Sequence, residues 1–257
     1  MPGGSAIPPE GPEAGPEHGA LYRLRGVVKR RALGQGFVLA VPELTIRPGE
    51  MVALVGESGC GKSTLLDLLA MVLRPDQAED FTFQAAPKPP LDVWRAWRGK
   101  DQNRLAAARG ESLGYVLQTG GLLPFLSVRD NIALSRRLLG LPRRGRAEAL
   151  AQRLGIANHL TKLPGQLSVG ERQRVAIARA MAHQPAVVIA DEPTASLDPI
   201  RARQIMEIFA SLVAQANTTL IVATHDRQAV EQGGFRVVSF ALSQSPRDGA
   251  VQARAEG

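Results

Sequence analysis

Residues 56–63 read GESGCGKS, which fits G-x-x-x-x-G-K-[ST]. Glycines in such a run let the backbone turn tightly enough for several N–H groups to face one anion. A following helix would add its positive end, Lys62 would reach the outer phosphates, and the Ser63 hydroxyl would be offered to Mg2+. The predicted chemistry is capture of a polyphosphate. A second constellation is the apolar run VVIA ending in Asp191 and Glu192. At the carboxyl end of a buried strand, Asp191 can hold a metal through water while Glu192 orients or deprotonates an attacking water. Alone this would be an ordinary acidic strand end, but beside a phosphate loop it reads as hydrolysis. A third is LSVGERQ, residues 167–173, opening a helix. Ser168 and Gly170 there fit either a helix cap with Glu171 in the first turn or a second anion site. The residues alone leave both open.

These groups need strand ends and helix starts to hold them. EMVALVG before the glycine loop is nearly all apolar, as where both faces of a sheet are covered, and KSTLLDLLAMVL after it has helical periodicity until Arg74-Pro75. LYRLRGVV and GFVLAVPELTI precede them as strands, the second closed by the turn Pro48-Gly49. Residues 76–110 are less regular, with Trp94 and Trp97 three apart on one helical turn as cover for the core. After the strand LGYVLQ comes a mostly helical stretch, SVRDNIALSRRLLG and RRGRAEALAQRLG, whose Arg136, Arg137, Arg143, Arg144 and Arg146 read as a solvated face. The chain then alternates: helix ERQRVAIARAMAH, strand AVVIAD, a helix over 200–215, strand TTLIVAT, a short helix and strand FRVVSFAL. That alternation predicts an α/β fold with a mostly parallel sheet.

The chain of 257 residues, 44% hydrophobic and 21% charged, can bury a good core without staples. Its single cysteine, Cys60, excludes the disulfide-rich secreted class. Being next to a helix start and Lys62, that thiol is expected to be a stabilised thiolate whose alkylation blocks activity. No apolar run is long enough to span a membrane, and residues 1–20, half Gly or Pro, lack the pattern of a secretory signal and are expected to be a disordered tail. A net charge of +7 suits nucleotide phosphates, lipid head groups or nucleic acid without choosing among them. His159 and His183 have no metal-ligand spacing.

With LSVGERQ between the two nucleotide motifs, the sequence resembles the ATP-binding subunits of ABC transporters over roughly residues 21–242. The motif order matches throughout: GESGCGKST, Gln118 ending LGYVLQ, LSVGERQ, VVIADEP, Ser196-Leu197-Asp198, and His225 in IVATHD. The resemblance implies a P-loop NTPase core of RecA-like type with an antiparallel β subdomain (core and β subdomain over 21–117 and 165–243), a helical subdomain over 118–164, and a loose tail over 244–257. It implies that Gly56, Glu57, Ser58, Gly59, Cys60, Gly61, Lys62, Ser63 and Thr64 bind ATP, and that Ser63, Gln118 and Asp191 hold Mg2+. Glu192, His225, Gln118 and Lys62 would then carry the chemistry, with His225 holding the γ-phosphate and attacking water.

It further implies that Ser168, Val169, Gly170 and Glu171 touch ATP held by a second copy, with Ser196, Leu197 and Asp198 as the dimer loop. Function then needs a head-to-tail pair around two ATP molecules, an integral membrane permease subunit, possible further export components, and a place on the cytoplasmic face of the membrane. Nucleic acid is not an expected partner, because the chain has neither long coiled-coil insertions nor two cassettes. A signalling role toward a membrane-bound enzyme, without transport, shares every motif. The family signature more often reads LSGGQ, so Val169 requires that loop to take an ordinary L-residue conformation. Arg31 stands where an aromatic usually stacks on adenine, and its guanidinium plane can stack in its place. Within the family the chain looks most like the macrolide-export and lipoprotein-release type.

Overall fold

The computed structural model describes residues 19–31, 36–142, 145–195, 197–244 and 251–256. Most of the expected amino-terminal tail, Arg143, Arg144 and Ser196 lie outside the described residues. Strands β1 (Tyr22–Arg31) and β2 (Phe37–Ile46) pair antiparallel, and β3 (Met51–Val55) leads into helix α1 (Lys62–Leu69). The helical pattern in the sequence runs on to Leu73, but α1 stops at Leu69, and Met71 already has φ +55.

The irregular stretch holds real elements: β4 (Asp80–Phe83), β5 (Leu91–Asp92), α2 (Val93–Arg98) and α3 (Gln102–Ser112). Asp92 and Asp101 start the two helices by accepting from the N–H of Arg95 and Arg104. Trp94 and Trp97 pack against the core. Next come β6 (Leu113–Val116), α4 (Val128–Leu138), α5 (Arg146–Arg153), α6 (Val169–Met181), β7 (Val187–Asp191), α7 (Pro199–Gln215), β8 (Thr219–Thr224), α8 (Arg227–Gln232), β9 (Arg236–Gln244) and β10 (Val251–Glu256).

The strands form one ten-stranded sheet in the order β5-β4-β1-β2-β10-β9-β3-β8-β7-β6. From β9 to β6 every pairing is parallel. These strands are apolar on both faces because both are covered. Val187, Ile189, Ile221 and Ala223 face the core shared with α1, whereas Val188, Ala190, Leu220 and Val222 face the one shared with α6 and α7. β1, β2 and β4 add Leu24, Leu39 and Phe81 to the α1 side.

The expected loose carboxyl tail is corrected here: β10 runs parallel to β2 and antiparallel to β9, and buries Ala253 and Ala255. Its alternation of small apolar and polar residues suits a strand with one covered face, a pattern too short and weakly hydrophobic to stand out.

Candidate active site

The loop after β3 folds around its own lysine. The Lys62 ammonium donates to the carbonyl oxygens of Gly56 at 2.6 Å and Glu57 at 2.9 Å, and the residue is 6% exposed. Gly61 caps α1 with φ +106, where a side chain would be strained and would press on the Phe37 ring at 3.0 Å. Among the described residues no side chain caps α1, and no acid lies in its first turn, which leaves backbone N–H groups at this anion-attracting end without a side-chain partner. Cys60 is 1% exposed with its sulfur turned inward against Gly56. The expected reactive thiol is therefore buried, its sulfur packed inside the loop against Gly56.

One cavity of 450 Å³ brings Ser58, Gly59, Gly61, Lys62, Ser63 and Thr64 together with Gln118, Asp191 and Glu192. Arg31 and Phe37, facing partners where β1 ends and β2 begins, complete its wall. Arg31 is held by Asp67 of α1 at 3.2 Å. Asp67, which also accepts from the Tyr115 hydroxyl at 3.4 Å, was not foreseen; its only signal was an acid in the polar gap of an apolar helix.

Burial raises the Asp191 carboxyl above its ordinary range, a hydrogen bond from Ser63 and the charge of Lys62 oppose this, and the carboxylates of Glu192 and Asp67 add to the rise. Crowded acids beside a hydroxyl are a hard-oxygen donor set that gains from a cation. Among the described residues no cluster of three or more His, Cys, Asp or Glu could hold a metal alone. That fits Mg2+, which commonly takes one or two protein groups and completes its shell with water and substrate phosphates.

Glu192 follows β7 with φ +43, a region that costs an L-residue about 1–2 kcal/mol, and its N–H is tied to Ala223 O on β8 at 3.0 Å. This bend aims the carboxylate so that Oε1 lies 3.9 Å from Lys62 Nζ and Oε2 lies 3.6 Å from Nδ1 of His225. His225, at the end of β8, is exposed.

The LSVGERQ segment is elsewhere. Ser168 caps α6 and Glu171 answers it, a reciprocal capping box. Val169 is the first residue of α6 and has no positive φ, as a valine there requires. None of Ser168, Val169, Gly170 and Glu171 lines the cavity around Lys62. Val169 instead borders a recess of 230 Å³ with Gln118 and Leu197. Asp198 caps α7 by accepting from Arg201 N–H at 3.0 Å. The Gln118 loop is clasped by groups the sequence reading passed over. Arg179 of α6 donates to Gly120 O and Gly121 O, and fully buried Asn131 bonds Leu123, Leu126 and Ser127. The Gln118 loop is thus fastened to the helix that begins at Ser168.

A parallel sheet with a phosphate loop after one strand and paired acids after another defines a P-loop nucleotide hydrolase. Residues 39–195 match the ABC transporter family, and the chain belongs to it as an ATP-binding, ATP-hydrolysing subunit. It is 41% identical to the lipoprotein-releasing system ATP-binding protein LolD of Idiomarina loihiensis over 83% of this chain and 91% of that protein. It is 39% identical to the macrolide export ATP-binding/permease protein MacB 1 of Aeromonas hydrophila over 91% of this chain, but spans only 34% of that longer protein. Among solved structures, the dimeric ATP-binding cassette MJ0796 in a post-hydrolysis state with ADP and Pi is similar with a TM-score of 0.72 and 27% identity. That likeness covers 91% of this chain and 97% of that one.

Proposed function

We propose that two copies of this chain close head to tail around two ATP molecules and drive an integral membrane permease of the lipoprotein-release kind. The carrying observation is a division of residues. Lys62, Ser63, Gln118, Asp191 and Glu192 face one cavity, while Ser168 and Gly170 stand outside it at the start of α6. The second copy supplies what each cavity lacks. The loop amides and Lys62 hold the phosphates, and Thr64 continues that cradle at the start of α1. Glu192 takes the proton of the attacking water, and His225 holds that water against the γ-phosphate. Ser63, Asp191 and Gln118 would hold Mg2+, which would supply positive charge to offset that of the phosphates. Leu197 and Asp198 form the dimer loop. The solved dimeric cassette with ADP and Pi supports this arrangement.

No helix among the described residues is long and apolar enough to cross a membrane. We read contact with the membrane as running through a partner, for which the stretch 118–164 offers Phe125, 73% exposed ahead of α4, and Leu138, 79% exposed at its end. The test is purification of tagged full-length protein from detergent-solubilised membranes. Recovery of a stoichiometric integral membrane protein, lost with Phe125→Asp and Leu138→Asp together, is expected. Failure of any integral membrane protein to co-purify from membranes that retain the tagged protein would overturn the transporter role.

A further inference from the structure

Both oxygens of the Glu171 carboxylate are engaged. Oε2 accepts from the Ser168 backbone N–H at 2.7 Å, and Oε1 meets Nε2 of His159 at 2.9 Å. Ser168 Oγ accepts from the Glu171 N–H at 3.3 Å, and its hydroxyl is itself engaged by the Glu171 carboxylate. His159 ends the short turn Ala157–His159 that follows α5, and its contact joins that turn to the first turn of α6. Its side chain is 20% exposed, and Nδ1 is buried without a hydrogen-bond partner. The polar function of this imidazole is therefore spent on Glu171. The two hydrogen bonds with Ser168 hold the Glu171 carboxyl below its ordinary range, and the charges of His159 and Lys162 add to that.

A carboxylate at this place is awkward for a site that must receive a phosphate. The start of α6 attracts anions, yet it already has one, and two like charges side by side repel. We propose that His159 is a positioning residue for the second nucleotide half-site. By gripping Oε1 it keeps Oε2 on the Ser168 N–H and holds the negative charge back along the capping loop, away from the γ-phosphate carried by the other copy. This inference rests on the reading that Ser168 meets ATP in trans.

The experiment is sedimentation velocity of the Glu192→Gln protein in Mg-ATP, with a fluorescent ATP analogue reporting nucleotide affinity of the monomer. His159→Leu, which keeps bulk and removes the donor, is expected to raise the protein concentration for half-dimerisation about 10-fold with monomer affinity unchanged. His159→Gln, whose amide can replace the Nε2 donor, is expected to restore assembly to within about 2-fold. In the Glu171→Ala background His159→Leu should have no further effect, because Glu171→Ala alone removes the charge and should dimerise no less readily than the parent. Glu171→Ala carries the test if His159→Leu does not fold. Parent-like assembly of His159→Leu, weaker assembly of Glu171→Ala, failure of His159→Gln to restore, or a loss on adding His159→Leu to Glu171→Ala overturns the role of His159. If the parent itself stays monomeric in ATP, the trans reading falls and this inference with it. If the parent dimerises and Ser168→Glu abolishes the dimer while His159→Leu does not weaken it, only the inference falls.

Discussion

Two helix starts in this protein face the same chemical demand and meet it in opposite ways. α1 begins at a glycine with no side-chain cap and no acid in its first turn, so its unpaired N–H groups have no anion of their own. α6 begins with a serine cap and a glutamate that closes a capping box. The first is unfinished until a phosphate arrives. The second is already satisfied, which makes it a stable helix start and a conditional ligand site. Under the proposed function, the contrast gives nucleotide capture to α1 and a later engagement to α6.

The sharpest way to break that contrast is to damage each half and compare. Lys62→Ala should lose nucleotide binding and turnover together, while Glu192→Gln should retain ATP and lose hydrolysis, each by at least about 100-fold in turnover. Filter binding of labelled ATP beside steady-state phosphate release separates the two. Near wild-type turnover in Glu192→Gln would remove that residue from the water chemistry.

On the α6 side, Ser168→Glu should leave ATP binding by the monomer within about 2-fold while blocking the ATP-dependent dimer of the Glu192→Gln protein. If Ser168→Glu also abolished nucleotide binding by the monomer, the two helix starts would belong to one site and the contrast would be lost.

What the sequence made legible follows the same line. GESGCGKS and the acids after VVIA were readable because their chemistry is local: a loop, a strand end, a helix start within a few residues. The helix beginning at Ser168 was readable as a helix, but its residues left cap and anion site open, because that choice depends on what else comes near. Asp67, Asn131 and Arg179 were not readable at all. Each acts on a segment brought close by folding, such as Arg179 on Gly120 and Gly121, and an arginine among three in RQRVAIARA carries no mark of its target. β10 escaped for a related reason: its place between β2 and β9 is fixed by pairing, not by its own composition.

Cys60 sharpens the picture of the α1 side. A thiol with 1% exposure in a loop that wraps its lysine should alkylate at least about 10-fold more slowly than a free thiol at the same pH, with or without ATP. Mass spectrometry of iodoacetamide-treated, nucleotide-free protein measures this. Rapid adduct formation that ATP suppresses would mean that the loop opens when empty and is less preassembled than its geometry indicates.

Asp191 gives a smaller effect of informative sign. Its folded-state pKa is raised by burial, so its stabilising share is present at low pH and lost as pH rises through that raised value. At neutral pH the ionised acid is a cost that the nucleotide-free protein bears for its site. Asp191→Asn should therefore raise the melting temperature of the nucleotide-free protein by about 2 °C while lowering Mg-dependent turnover. A lower melting temperature would show that the Ser63 hydrogen bond outweighs the burial of the charge.

The smallest effect serves as a control distant from both helix starts. His183 follows α6 and is 7% exposed, with Nε2 donating to Leu113 O at 3.0 Å and Nδ1 buried without a partner. Burial depresses its pKa below the ordinary 6.5, the nearby Arg136 charge adds to this, and the bond to Leu113 works against it. For a histidine buried neutral, the unfolded chain takes up a proton first as pH falls. The stability it allows is thus complete above about 6.5 and declines as pH drops toward the folded-state value, at no more than about 1.4 kcal/mol per pH unit for one proton. His183→Gln keeps a donor for Leu113 O and cannot titrate. Urea unfolding of nucleotide-free protein at pH 7.5 and 5.5 should show a smaller loss of stability in this variant than in the wild type. ATP-dependent dimerisation of the Glu192→Gln protein should be unaffected by it at pH 7.5. Equal losses would show that acid sensitivity arises elsewhere, while a weakened dimer would mean that the far end of α6 also governs its start. The difference between the two helix starts would then be a property of the whole helix and not of four residues.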